Sequence, residues 1–136
     1  MTRASRVTAA VFILSFLGVM FGGAVITGKL TGEPAYAGSV LHEDFWRAGH
    51  AHAAAFLVLA LVCLPWIDAA ALSDRLRWFA RIAISSASIT FPLGFFLAAP
   101  TPETTEAGPA LALLWPGGAV LAAGLVTLAV GLFRAS

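Results

Sequence analysis

The run VTAAVFILSFLGVMFGGAVITG, from Val7 to Gly28, contains no charged side chain. A helix needs about 20 mostly apolar residues to cross about 30 Å of hydrocarbon, and this run is long enough. Three further segments meet the same requirement, so the predicted spans are about 7–28, 45–66, 78–99 and 109–133. The sequence therefore predicts an all-α fold, an integral membrane four-helix transmembrane bundle that forms a single domain over residues 1–136.

The composition supports this prediction. Of 136 residues, 60% are hydrophobic and 11% are charged, whereas a soluble domain carries about 45–50% apolar and about 25% charged residues. So few charges, with a net charge of +1, exclude an ordinary soluble enzyme, a disordered tail and a nucleic-acid binder. A single cysteine excludes an internal disulfide. The expected partners are the lipid bilayer and either other membrane subunits or further copies of the chain, with no nucleic acid.

Basic residues are distributed unequally between the two sides of this layout. One side carries Arg3, Arg6, Arg75, Arg77, Arg81 and Arg134, and the other carries Lys29 and Arg47. The positive-inside rule then predicts a multi-pass protein of the cell membrane with cytoplasmic N- and C-termini. Tyr36 would mark the outer interface, and Asp68 would lie in a solvated cytoplasmic turn. Ala35-Tyr36-Ala37 resembles a signal-peptide cleavage site, but the first apolar run exceeds the usual signal core, so we expect it to be retained.

All three histidines lie in the stretch LHEDFWRAGHAH, residues 41–52. Asp44 is a plausible N-cap, from which the second helix would begin at Phe45. His50 and His52 would then lie about 8–10 Å below the outer end of that helix. They are separated by about 200° of rotation on the helix, so the pair does not readily chelate one ion and each needs its own partner.

The other spans carry glycine, proline or hydroxyl residues at a similar depth: Gly22-Gly23, Pro92 and Gly94, Pro116-Gly117-Gly118, with Ser88 and Thr90 nearby. Irregular backbone at membrane depth is tolerated where it is buried in protein or lines a cavity. We therefore predict a pocket in the outer third of the bilayer, into which at least one histidine projects. Small residues and hydroxyls can equally serve close helix packing, and the histidines can simply hydrogen-bond backbone carbonyls.

Neutral imidazole ligates haem iron or copper. The candidate cofactor ligands are His50 and His52, and a copper site would draw on His42, His50 and His52. Glu43, Asp44, Arg47, Ser88 and Thr90 are the candidates for hydrogen-bonding those ligands. Histidine also titrates near neutral pH, so proton handling is a further reading. No span contains paired carboxylates or an HExxH pattern, so the sequence favours a binding protein over a hydrolytic enzyme.

Residues 47–53, Arg-Ala-Gly-His-Ala-His-Ala, resemble the start of the second helix of the haem–copper oxidase subunit I superfamily. They are also similar to a signature of small four-span bacterial membrane proteins, a likeness that carries no established function. The oxidase resemblance covers helices 1 and 2 and implies a histidine ligand to a low-spin haem b. The later predicted helices contain no histidine, whereas the oxidases place further ligands there, so oxygen reduction by this chain alone is not expected.

The leading hypothesis is an accessory membrane protein that binds haem or copper through His50, His52 or both. The alternatives are a structural subunit of a larger membrane complex without a cofactor, and a conduit for protons or a small solute.

Overall fold

The computed structural model describes residues 1–32 and 39–135, and this part of the chain is all-α. It contains α1 (Arg3–Gly32), α2 (Val40–Ala69), α3 (Asp74–Ala98), a 3₁₀ helix (Pro109–Leu113) and α4 (Leu114–Phe133). Each of the four predicted spans falls on a helix long and apolar enough to cross a membrane. The all-α prediction is thus confirmed. The Ala35-Tyr36-Ala37 motif lies outside the described residues.

The bundle is arranged around α3, which packs against both α2 and α4. Small side chains lie along its buried face, among them Ala80, Ala83 and Ala87. On the facing helix, a Cβ atom added to Gly124 would lie 2.9 Å from the Cβ of Ala83. Small residues on both helices let the backbones approach closely.

The first helix is peripheral. The backbone of α1 lies beside α2 and beside no other described helix. Only Ser5 and Ile26 of α1 are buried, while large apolar side chains such as Leu14 and Phe21 are more than 60% exposed. The main apolar core instead joins α2, α3 and α4 near the α2–α3 turn and includes Ala60, Cys63, Ile67, Ala80, Ile84 and Leu128.

The second helix begins earlier than predicted. It starts at Val40, so Asp44 lies within the helix and the prediction that Asp44 caps it is wrong. Ser39 occupies the N-cap position, and Glu43 falls in the first turn, where a carboxylate interacts favourably with the helix dipole. Apolar content alone could not show this extension, because charged residues are tolerated in a helix that continues past its apolar segment.

The prolines interrupt the helices less than expected. Pro116 is the third residue of α4, and proline is tolerated in the first turn of a helix. The preceding 3₁₀ helix Pro109–Leu113 leads into α4 without a gap. Pro92 lies inside α3, which is assigned as one continuous helix over Asp74–Ala98.

Candidate functional site

His42 belongs to the first turn of α2, and its side chain lies between α2 and the C-terminal end of α3. Its side chain is fully buried, and Nδ1 lies 2.8 Å from the carbonyl oxygen of Ala99. Because a carbonyl only accepts, Nδ1 is the donor in this bond. The indole N–H of Trp46 donates to the same oxygen at 3.1 Å, and the two rings are 4.5 Å apart. His42 therefore fastens α2 to the C-terminal end of α3.

His50 faces α1. A Cβ atom added to Gly23 would lie only 2.8 Å from Nε2 of His50, so the imidazole occupies the space left by that glycine. Beside it is a cavity of about 300 Å³ between α1 and α2, whose polar lining is His50, Arg47, Thr27 and Thr31. This is a polar cavity that contains one of the predicted site histidines.

His52 faces α3. Its Nδ1 lies 2.7 Å from the carbonyl oxygen of Ala48, one turn back on α2, so here too Nδ1 is the donor. The ring is stacked on Phe91, with an interplanar angle of 9° and a centroid distance of 5.8 Å. Phe95 and Phe56 contact it from other sides, at 4.9 Å and 5.6 Å. The imidazole thus lies half-buried among three phenylalanine rings.

A large apolar groove adjoins this aromatic group. Its volume is about 760 Å³, and it is lined by Phe45, Phe91, Phe95, Leu111, Leu114, Trp115, Gly118 and Ala119. Two of the three phenylalanines that contact His52, Phe91 and Phe95, also form part of the groove wall. The groove lies between α2, α3 and the start of α4.

The three histidines do not converge. They contact three different surfaces, and within the described ranges 1–32 and 39–135 no three His, Cys, Asp or Glu side chains are grouped to hold a metal ion. The predicted hydrogen-bonding residues are also dispersed. Glu43 forms an ion pair with Arg47 at 3.1 Å, and Asp44 is exposed.

The two hydroxyl candidates bond within their own helix. Ser88 donates to the carbonyl of Ser85 at 2.8 Å, and Thr90 donates to the carbonyl of Ser86 at 3.1 Å. Thr90 also faces α4, since a Cβ atom added to Gly117 would lie 2.8 Å from its Oγ1. This hydroxyl therefore lies at a helix–helix contact.

A polar network at the other end of the bundle was missed. The prediction that Asp68 lies in a solvated turn is wrong. Asp68 pairs with Arg81 at 3.2 Å, and their side chains are 10% and 4% exposed. The hydroxyl of Ser5 donates to Asp68 at 2.8 Å, and the backbone N–H of Thr2 donates to it at 2.7 Å. Arg81 also donates to Ser5 and lies 4.9 Å from the ring centroid of Trp78.

The sequence did contain a signal for this network. Arg81 falls inside the predicted span 78–99, and an arginine within an apolar segment needs a partner because burying an unpaired charge is costly. Asp68 is the nearest acidic residue beyond the end of the preceding span. Two consecutive helices joined by a short turn run antiparallel, and this arrangement alone predicts that Asp68 can pair with Arg81.

Comparison with protein-family models, curated proteins and solved structures found no match for this chain. The resemblance of residues 47–53 to the second helix of haem–copper oxidases therefore remains a prediction. The function is inferred from the placement of the histidines and from the cavities beside them.

Proposed function

We propose that the chain is a multi-pass protein of the cell membrane, with both termini in the cytoplasm, and that it binds a cofactor through a histidine in the outer third of the bilayer. Four helices of sufficient length and apolar content support the membrane assignment. The excess of arginine at the end where α1 begins supports the orientation. The chain would serve as an accessory subunit without catalytic activity of its own.

The cofactor that fits best is haem b, held through the imidazole of His52. The observation that carries this proposal is the hydrogen bond from Nδ1 of His52 to the carbonyl of Ala48. In a neutral ring this bond leaves the lone pair on Nε2, and histidines that ligate metals are commonly held by such a bond from the other nitrogen. A single axial histidine is sufficient for haem in several protein classes.

The surroundings of His52 also suit a large planar apolar group. The groove of about 760 Å³ is within the range of about 300–1,000 Å³ that is typical of ligand pockets. Its aromatic walls would shield the group from water. Because His52 itself lies behind Phe91 and Phe95, at least one of these rings must turn aside for Nε2 to reach a ligand in the groove. When bound, a haem would supply one-electron chemistry.

Copper is the weaker alternative because its sites in proteins combine several nitrogen or sulfur ligands. His42 contacts the C-terminal end of α3, His50 contacts α1, and His52 contacts Phe91 and Phe95 within α3, so each could contribute only singly. His50 is less suited than His52 as a haem ligand, since its Nε2 is directed at Gly23 and its cavity is smaller and contains the cation of Arg47.

The test is an optical titration of the purified, detergent-solubilised chain with haem, together with metal analysis. We expect a Soret band that saturates at one haem per chain, and loss of that band in His52→Ala. The matched control is His50→Ala, two residues away on the same helix, which should retain the band. Absence of a saturable band, or equal loss in both variants, would overturn the assignment to His52. Stoichiometric copper in the absence of haem would favour the metal alternative.

A structural subunit is the second candidate, and one observation on α1 favours it. A Cβ atom added to Gly18 or Gly22 would meet nothing within 4 Å, whereas the space beside Gly23 is occupied by the side chain of His50. Gly18 and Gly22 form a GxxxG pattern, which in membranes lets two helices approach closely. An open GxxxG face on a helix that packs only on α2 is suited to another transmembrane helix.

This second function is tested by enlarging the open face. Gly22→Leu should leave the chain folded, because no described residue occupies that space, and should reduce its association with partner subunits or with further copies. Size-exclusion chromatography with light scattering in mild detergent would measure this. An unchanged assembly state in Gly22→Leu would contradict a role for this face.

A further inference from the structure

The polar cavity between α1 and α2 shares no lining residue with the apolar groove, so it is separate from the proposed haem site. Its volume is about 300 Å³. The residues that line it are Gly23, Ile26, Thr27, Leu30 and Thr31 of α1 and Arg47 and His50 of α2. We call it the α1–α2 cavity. A cation, an imidazole and hydroxyls beside aliphatic side chains suit a ligand that has both a polar and an apolar part.

The two polar residues of α2 have donors that a ligand can reach. Arg47 and His50 are three residues apart on the helix, so their side chains are neighbours on one face. The side chain of Arg47 is 62% exposed, and Nη2 pairs with Glu43 at 3.1 Å. A guanidinium has five N–H donors, so this pair leaves others for a ligand.

His50 contributes a further donor. Its side chain is half-buried at the cavity wall. Unlike His42 and His52, it makes no hydrogen bond to a protein carbonyl within residues 1–32 and 39–135. A neutral imidazole carries one N–H group, which can therefore be donated to a ligand that also contacts Arg47.

The charges around the cavity favour an acceptor with a single negative charge. Arg47 is the one cation of its lining, and Glu43 lies beside it. Because the pair is exposed on the arginine side, it contributes little and can share the guanidinium with a ligand. A carboxylate matches the fork of the guanidinium. Glu43 would repel a doubly charged phosphate more strongly than it repels a carboxylate.

The depth of the cavity suits an acid that carries an apolar chain. Thr31 lies beyond the predicted span 7–28 and Gly23 lies within it, and eight residues of helix extend about 12 Å. Ile26 and Leu30 supply aliphatic surface over this length. The cavity thus extends from the end of the predicted span into its apolar part.

We propose that the α1–α2 cavity binds the carboxylate of a fatty acid, which accepts hydrogen bonds from the guanidinium of Arg47 and from the imidazole of His50. The hydroxyl of Thr27 is a further donor within the same lining. The choice of a lipid-borne acid rests on the proposed membrane function, whereas the carboxylate itself follows from the donors and charges of the cavity.

The test measures saturable binding of radiolabelled octanoate to the purified chain in a neutral detergent. Arg47→Gln removes the guanidinium and should weaken binding roughly tenfold. The matched control is Lys29→Gln, which removes a cation next to Leu30 in the sequence but outside the cavity lining and should leave the affinity unchanged. His50→Leu should also weaken binding, while His50→Gln keeps an N–H donor and should retain most of it.

Several outcomes would overturn the site: no saturable binding, equal weakening in Arg47→Gln and Lys29→Gln, or equal loss in the two His50 variants. Octanol that displaces octanoate as well as unlabelled octanoate does would overturn the carboxylate. Acetate that does so at the same concentration would overturn the fatty acid as its source.

A second variant covers the case in which Arg47→Gln does not fold. Glu43→Gln removes the competing carboxylate and should bind octanoate more tightly than wild type, so unchanged or weaker binding would contradict the proposal. Flotation with phosphatidylcholine vesicles tests the membrane function separately. A chain that inserts but does not bind octanoate overturns only this site, whereas failure to insert counts against the membrane function itself.

Discussion

Arg81 of α3 and Asp68 of α2 form an ion pair of 3.2 Å from which solvent is almost excluded. Ser5 of α1 donates to Asp68 and accepts from Arg81, so three helices meet at this pair. The backbone of α1 otherwise lies beside α2 only. The pair is therefore the polar contact that links the peripheral first helix to α3.

Removing one partner of this pair should be strongly destabilising. In Asp68→Ala, Arg81 keeps its charge in a buried position and loses its carboxylate, and Ser5 and Thr2 lose an acceptor. We expect a loss of about 3–5 kcal/mol in the free energy of unfolding, measured by denaturant titration in detergent micelles. Asp74→Ala is the control, since its ion pair with Arg77 is exposed and should change stability little.

Replacing both partners should cost less than replacing one. A buried ion pair exchanged for apolar residues of similar volume is often neutral, so Asp68→Leu combined with Arg81→Met should recover part of the loss seen in Asp68→Ala. If the double variant loses as much stability as Asp68→Leu and Arg81→Met lose when their separate losses are added, the two residues do not interact energetically.

The glycines provide a second prediction because their surroundings differ sharply. A Cβ atom at Gly124 would lie 2.9 Å from that of Ala83 and 3.3 Å from the backbone nitrogen of Ile84, whereas one at Gly22 would meet nothing within 4 Å. Gly124→Ala should therefore destabilise the fold by about 1–3 kcal/mol, and Gly22→Ala should leave the unfolding midpoint nearly unchanged. Equal effects of the two substitutions would contradict the close packing of α3 on α4.

His42 provides a third prediction, which separates a structural histidine from the candidate ligand His52. In His42→Ala the carbonyl of Ala99 loses one of its two donors, and Trp46, which keeps its own bond to that carbonyl, loses the ring packed against it. We expect a loss of about 1–3 kcal/mol in stability, while haem binding at His52 is retained. A His42→Ala variant that is as stable as wild type but loses the cofactor would show instead that His42 is the ligand.

The fold was predictable because length and apolar content are sufficient to identify each helix in the sequence. The run from Val7 to Gly28 and its three counterparts follow from the thickness of hydrocarbon that they would cross, without any knowledge of packing. The helix ends were not predictable in the same way. α2 begins at Val40, and His42 in its first turn contacts the carbonyl of Ala99, a residue distant in sequence that apolar content alone does not relate to it.

The candidate site was predictable only in part, for the same reason. A rotation of about 200° between His50 and His52 correctly indicates that they face different neighbours. Which neighbours these are depends on the side of α2 that α1 and α3 occupy, and one sequence does not specify it. The position of Asp68 after a span predicts a solvated carboxylate, whereas the charge of Arg81 within the next span requires an acidic partner, and Asp68 is that partner.

The proposed orientation gives a last prediction, made on a Cys63→Ala background so that no native thiol remains. A cysteine at Thr105, in the segment between α3 and the 3₁₀ helix, should react with a membrane-impermeant maleimide added to intact cells. A cysteine at Ala71, in the turn between α2 and α3, should react only after the membrane is permeabilised. Both native residues are exposed, so the difference reports the side of the membrane and not burial. The reverse pattern would place the termini outside, and labelling of both sites in intact cells would contradict an α3 that crosses the bilayer.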